Sequence, residues 1–152
     1  MASHRRLGTA LRALRPCPAA ADGGLAGKTV LVTGGSRGVG AAACSLFAER
    51  GCRVVVGFNS NADAAEAVVS GLANPELQHV AVQGDVGTAE GCRNLWEGAV
   101  AALGQVDILV NNAGIGASFH HVLESDLDTW TEAFSTILVS QTPTAPSQPA
   151  PG

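Results

Sequence analysis

A glycine-rich turn is the first stretch whose residue types and spacing could do chemistry. Gly34, Gly38 and Gly40 give the spacing G-x-x-x-G-x-G, after an apolar run at 30–32 and before an alanine-rich segment. Glycine there permits a positive φ, close approach of a phosphate to the backbone, and close packing of a helix on a strand. A helix that starts at such a turn also presents its N-terminal N–H groups to an anion. The spacing favours a nucleotide phosphate site, with an ordinary glycine turn as the alternative.

The elements that must position this turn alternate between strand and helix patterns. Short apolar, partly β-branched runs predict strands at 30–33, 53–57, 79–83 and 107–110. The helical stripes between them are Val39, Ala42, Ala43, Leu46 and Phe47, then Ala64, Ala65, Val68, Val69 and Leu72, then Cys92, Leu95, Trp96, Ala99, Val100 and Leu103. Because strand–helix–strand crossovers are right-handed, we predict the α/β class, a Rossmann-like, doubly wound parallel sheet that stops after about four strands.

Composition and charge exclude several classes of protein. The chain has 152 residues, 46% of them apolar and 14% charged, with a formal net charge of −4. That balance does not suit a general nucleic-acid binder, and no apolar run approaches the length of a membrane span. The four cysteines stand far apart, so we expect neither a disulfide framework nor a metal site. The pattern is typical of a reduced, intracellular protein.

Both ends of the chain differ in composition from its middle. Residues 1–24 carry four arginines before the first acid, and Leu7, Leu11 and Leu14 share one helical face. This segment is either an organelle transit peptide or a disordered extension. Localisation is therefore cytoplasmic or, with a transit peptide, mitochondrial or plastid. Residues 138–152 form a Pro-rich tail that we expect to be disordered, which leaves 25–137 as the dinucleotide-binding part.

Three motifs recur in an order that points to one family. They are TGGSRGVG at 33–40, DV at 85–86 and NNAG at 111–114, supported by LAGK at 25–28. Together they resemble the short-chain dehydrogenase/reductase family over about residues 25–136, in the style of its ketoacyl-carrier-protein-reductase-like members. The resemblance implies a nicotinamide dinucleotide cofactor and an oxidoreductase acting on a carbonyl or alcohol.

The resemblance also implies roles for the motif residues. The three turn glycines would line the pyrophosphate, and Asp85 would accept a hydrogen bond from the adenine amino group. Without the family, Asp85 reads instead as a turn and cap residue. Asn111 and Ala113 would support the central strand and the nicotinamide ribose, while Gly114 would let the cofactor lie close. The predicted cofactor-binding residues are Gly34, Ser36, Arg37, Gly38, Val39, Gly40, Asn59, Ser60, Asp85, Val86, Asn111, Ala113 and Gly114.

The choice between NADP and NAD depends on the residues that follow the second strand. An acid there would bind the ribose 2′-OH of NAD and repel a 2′-phosphate. The chain has Asn59 and Ser60 at that place, and no carboxylate before Asp63. Arg37 could reach a 2′-phosphate with charge-assisted hydrogen bonds. The sequence therefore favours NADP over NAD.

The catalytic residues that the resemblance calls for are not in this sequence. The family uses a Tyr-x-x-x-Lys pair as general acid and base, with a serine and a relay asparagine. The chain has no tyrosine, its one lysine is Lys28, and Ile137 stands at the relay position. His120 and His121 could titrate near neutral pH, but no partner stands at a recognisable spacing. We name no catalytic residue.

The resemblance ends near residue 137, where the Pro-rich tail begins. This favours a truncated or alternatively spliced product, or a gene-model artefact, and these alternatives stay open. We expect the chain to be inactive by itself. The other function that the sequence leaves open is a non-catalytic nucleotide-binding or regulatory fragment, which could associate with itself or with full-length relatives.

Overall fold

The computed structural model describes residues 24–115 and 127–137. Its strands are β1 (Thr29–Val32), β2 (Arg53–Phe58), β3 (Val80–Gln83) and β4 (Ile108–Val110). Its helices are α1 (Gly38–Glu49), α2 (Ala62–Ser70), α3 (Ala89–Leu103) and α4 (Leu127–Ile137), with a short 3-10 turn at Pro75–Leu77. The predicted strands are confirmed to within one residue at their ends. His120 and His121 are outside the described ranges, as are residues 1–23 and 138–152.

The four strands form one parallel sheet in the order β3-β2-β1-β4. Val30 is in register with Val54 on one side and with Ile108 on the other. Strand order therefore runs outward from β1 to β2 and β3, then reverses to β4. In doubly wound sheets the crevice at the carboxyl ends of the strands, at this reversal, is where ligands bind. The predicted fold class is confirmed, and its topology places the glycine turn at the reversal.

Helices cover both faces of the sheet. On one face Val30 and Val54 pack with residues of α1 and α2. On the other face Leu31 and Val55 pack against the Leu95 side of α3. All of β1 and the part of β2 from Val54 to Phe58 are buried because each face of the sheet has its own apolar core, as is typical of parallel sheets.

The buried face of α1 is only partly the predicted one, because Ala43 and Phe47 pack against the core but other members of the predicted stripe do not. Val39 is 79% exposed and Leu46 is 51% exposed, whereas Gly40, Cys44 and Ala48 are buried. The buried positions follow the i, i+4, i+8 spacing of one helical face. Small residues occupy it because α1 lies close to the turn after β1, where larger side chains would not fit. The expectation for the third helix is confirmed, with Leu95, Ala99 and Leu103 at its buried face.

Within the described part of the chain, no helix has the length and apolar character needed to cross a membrane.

Candidate functional site

A cavity of about 660 Å³ opens at the carboxyl ends of the strands. The loops after all four strands and the last turns of α4 surround it. The residues that line it are Gly34, Ser36, Arg37, Gly38, Val39, Gly40, Gly57, Phe58, Asn59, Ser60, Asn61, Gly84, Asp85, Val86, Gly87, Thr88, Leu95, Asn112, Ala113, Gly114, Ile115, Ser135 and Thr136. The cavity therefore lies at the reversal of strand order, and all three sequence motifs contribute to it.

The glycine turn forms the floor of this cavity. Gly34 and Gly38 have φ values of 65° and 55°, in the left-handed region that favours glycine. The Gly35 N–H donates to the carbonyl of Gly57 at 2.8 Å, which ties the turn to the end of β2. A Cβ on Gly40 would overlap the carbonyl oxygen of Gly34 and lie 2.6 Å from Asn112 Nδ2. The turn thus holds the start of α1 against the carboxyl ends of the strands.

The N-terminus of α1 differs from those of the next two helices. Asn61 caps α2 by accepting from the Ala64 N–H at 2.9 Å, and Thr88 caps α3 by accepting from the Gly91 N–H at 3.0 Å. At the N-cap of α1, Arg37 makes no side-chain cap hydrogen bond. The first N–H groups of a helix have no partner within the helix, and an anion satisfies them well. Of these three helices, α1 is the one that begins without a side-chain cap, and its first residues, 38–40, line the cavity.

Asn112 joins the NNAG motif to the glycine turn. Its Nδ2 donates to the carbonyls of Thr33 and Gly34, at 3.0 and 3.2 Å. In return the Thr33 Oγ1 accepts from the backbone N–H groups of Asn112 and Ala113, both at 3.0 Å. Thr33 is 4% exposed. These partly buried hydrogen bonds fix the loops after β1 and β4 relative to each other.

The loop after β3 brings the carboxylate of Asp85 to the cavity. Its Oδ1 accepts from the Gly87 N–H at 2.9 Å, which is the local turn that the sequence allowed as an alternative. Val86 is 8% exposed and packs with Leu95 below the cavity. Burial raises the pKa of the neighbouring Cys92 thiol, and the negative charge of Asp85 adds to the rise. This wall offers an apolar surface beside one acidic acceptor.

The loop after β2 lies beside the loop after β3 and is polar, and Arg37 of the glycine turn is the one cation among the described lining residues. Arg37, Asn59 and Ser60 are all exposed and line the same cavity. Asp85, on the loop after β3, is the one carboxylate among the described lining residues. Arg37 of the glycine turn and the amide and hydroxyl groups of Asn59 and Ser60 therefore line one cavity, and the described lining residues at the end of β2 include no acid.

Twelve of the thirteen predicted site residues line the cavity. The exception is Asn111, which is exposed and is not part of the lining. The side chain of the next residue, Asn112, is the one that donates to the carbonyls of Thr33 and Gly34. The role of Asn111 stays a prediction. Ser135 and Thr136 were not predicted, because α4 reaches the cavity only through tertiary packing.

A family comparison agrees with this geometry. The family model described as short chain dehydrogenase matches residues 28–144. The chain belongs to the short chain dehydrogenase family. Among curated relatives, versicolorin reductase stcU of Emericella nidulans is 38% identical over 110 residues, which are 72% of this chain and 41% of that protein. Tetrahydroxynaphthalene reductase of Pyricularia oryzae is 32% identical over 111 residues, which are 73% of this chain and 39% of that protein.

Solved structures show the same relationship. A short chain dehydrogenase from Burkholderia cenocepacia in complex with NADP has a TM-score of 0.71 and 35% identity, covering 76% of this chain and 47% of that chain. A Serratia marcescens short-chain dehydrogenase/reductase mutant has a TM-score of 0.66 and 34% identity, with the same coverage. The chain thus spans about two fifths of the length of the curated relatives it matches.

Proposed function

We propose that this chain binds NADP in the cavity at the reversal of strand order. The observation that carries the proposal is the uncapped N-terminus of α1, which faces the cavity across the glycine turn. A pyrophosphate there would accept from the free N–H groups and gain from the helix dipole. A Cβ on Gly34 would lie 2.9 Å from the Cα of Ala113, and one on Gly40 would overlap the Gly34 carbonyl oxygen, so these glycines let the loops after β1 and β4 and the start of α1 approach closely at the cavity. The adenine would lie beside Asp85 and Val86.

The preference for NADP over NAD rests on the wall at the end of β2. Arg37 can donate to a 2′-phosphate, and Asn59 and Ser60 supply further donors. No carboxylate among the described lining residues of that wall would repel the phosphate. The solved relative from Burkholderia cenocepacia, which is in complex with NADP, supports this choice.

Replacing Arg37 by alanine tests the cofactor assignment. We expect the affinity for NADPH to fall about tenfold or more, as for the loss of a charge-assisted hydrogen bond, and the affinity for NADH to change far less. The measurement is a fluorescence titration of each cofactor with the full chain. Arg93→Ala is the matched control, because Arg93 is exposed on α3 and does not line the cavity. An equal loss for both cofactors in the Arg37 variant would refute the assignment.

The reaction class that we propose is hydride transfer between NADP and a carbonyl or alcohol. Two of the relatives are named reductases, which supports that class. The chain has no tyrosine, and Lys28 stands at the start of β1, so the general acid of the family is not among these residues. We therefore propose that this chain holds the cofactor but does not turn it over alone. NADPH oxidation with a broad set of carbonyl substrates tests this, and turnover above the protein-free rate would contradict it.

A second candidate function is association with itself or with a longer relative. In the described part of the sheet, β4 is an edge strand, and Leu109 on it is 46% exposed. Trp130 and Phe134 on α4 stack at 5.9 Å between ring centroids and are 45% and 52% exposed. Exposed apolar groups of this size are typical of interaction surfaces. Sedimentation over a range of concentrations tests self-association, and a monomer at all of them would argue against it.

A further inference from the structure

The first turn of α3 is attached to the main chain of the Asp85–Val86 pair. The Thr88 N–H and Oγ1–H both donate to the Asp85 carbonyl, each at 3.1 Å. The Gly91 N–H donates to Thr88 Oγ1 at 3.0 Å, and the Cys92 thiol donates to the Val86 carbonyl at 3.4 Å. The start of this helix therefore fixes the place where the loop after β3 meets the cavity.

Gly91 brings the helix into direct contact with the backbone of Asp85. A Cβ on Gly91 would overlap the Asp85 carbonyl oxygen and lie 2.6 and 2.7 Å from its carbonyl carbon and amide nitrogen. A Cβ atom does not come this close to a non-bonded atom in real proteins, and a backbone cannot rotate aside as the end of a side chain can. Any larger residue at 91 must push α3 and the Asp85 peptide apart.

The carboxylate of Asp85 is held by the same loop. Its Oδ1 accepts from the Gly87 N–H, and no hydrogen bond to Oδ2 occurs within the described ranges. A carboxylate fixed through one oxygen can present the other to a donor in the cavity. Hydrogen bonds weaken steeply as their distance and angle depart from the ideal. A displacement of the Asp85 peptide would therefore weaken the hydrogen bond between that donor and the carboxylate.

We infer that Gly91 is a positioning residue for adenine recognition, acting through Asp85 and not by contact with the cofactor. The inference rests on the proposed NADP function. The exocyclic amino group of adenine donates to the carboxylate of Asp85, whereas hypoxanthine has a carbonyl oxygen at that place and would be repelled. The close approach of α3 at Gly91 sets the position of that carboxylate, and so sets the preference for adenine.

The test compares NADPH with its analogue that carries hypoxanthine in place of adenine. We expect the full chain to bind NADPH about tenfold more tightly than the analogue, and Gly91→Ala to reduce that ratio to near one. The ratio is the informative quantity, because a general loss of structure lowers both affinities together. Gly98→Ala is the matched control on the same helix, since its Cβ would meet only the Val82 side chain, with Cγ1 at 2.6 Å. We expect it to keep the ratio.

A second pair of variants covers the case in which Gly91→Ala does not fold. Thr88→Val removes the hydroxyl that links Gly91 to Asp85, and we expect it to lower the ratio. Thr88→Ser keeps the hydroxyl, so we expect it to keep the affinity ratio of the parent chain. If the parent chain shows the preference and neither Gly91→Ala nor Thr88→Val lowers it, the inference is overturned. If the parent chain binds NADPH and the hypoxanthine analogue equally well, Asp85 does not recognise the adenine base and the inference also fails. No binding of NADPH would overturn the proposed function itself.

Discussion

Replacing Gly40 by alanine tests how closely α1 must approach the turn after β1. The added methyl group would overlap the Gly34 carbonyl oxygen and lie 2.6 Å from Asn112 Nδ2. Asn112 would then lose its hydrogen bonds to the Thr33 and Gly34 carbonyls, each worth about 1 kcal/mol. Forcing the helix away from the turn costs about another 1–3 kcal/mol, as overpacking does. The better helix propensity of alanine returns about 1 kcal/mol.

These contributions leave a net destabilisation of about 3 kcal/mol, a large share of the stability of an ordinary small domain. Urea unfolding of the full chain, followed by far-UV circular dichroism, measures it. A double-mutant cycle with Asn112→Ala identifies the cause. If the methyl group acts by displacing Asn112, the double variant should be about 1–2 kcal/mol more stable than the two single effects predict. Additive effects, or a Gly40 variant as stable as the parent, would refute this account of the turn.

Two further predictions concern titration and thiol reactivity. The Thr29 N–H, which donates to Asp107 Oδ2 at 2.8 Å, is the main cause that lowers the Asp107 pKa, and Lys28 Nζ lies 3.5 Å from Oδ1. This stabilisation is present above the ordinary aspartate pKa of about 4 and is lost as the pH falls through the lowered value. Asp107→Asn should therefore make the midpoint of urea unfolding depend less on pH between about pH 5 and pH 2. A plot of midpoint against pH with the same slope as that of the parent chain would contradict this. Burial raises the pKa of Cys44 to about 11 and raises that of Cys52. At pH 8 Cys44 should alkylate about a hundredfold more slowly than in urea, and equal rates by mass spectrometry would show that the core is not formed.

The order of elements and most of the candidate site could be predicted because both depend on local patterns. Apolar runs such as 53–57 read as buried strands whatever surrounds them. Turn glycines such as Gly34 and Gly38 indicate a positive φ, which other residues rarely adopt. In a parallel sheet the loops after the strands all reach one edge, so motifs far apart in sequence meet there. That is why residues from three separate motifs line one cavity.

Which side chains are buried and which contacts they make could not be predicted from local sequence patterns. Hydrophobicity placed Val39 and Leu46 on the same buried face of α1 as Ala43 and Phe47. The last two do pack against the core, but Val39 and Leu46 are mainly exposed and Cys44 is buried instead. The periodicity gives the existence of the helix, but its rotation follows from how near it must lie to β1. The motif NNAG contains two asparagines, and only the folded chain shows that Asn112, not Asn111, binds the glycine turn.

Sequence patterns alone were enough for the family, the parallel α/β sheet and the cavity-lining glycines, since each depends on residue types at fixed separations. Close approach depends on surfaces that meet across the fold, and it required the three-dimensional structure. Gly91 shows the difference, because in the sequence it is one more glycine in a helical segment. In the fold its Cα lies against the Asp85 peptide, where no larger residue fits. Periodicity cannot report that contact, because the loop after β3 and the first turn of α3 are brought together by packing on the sheet.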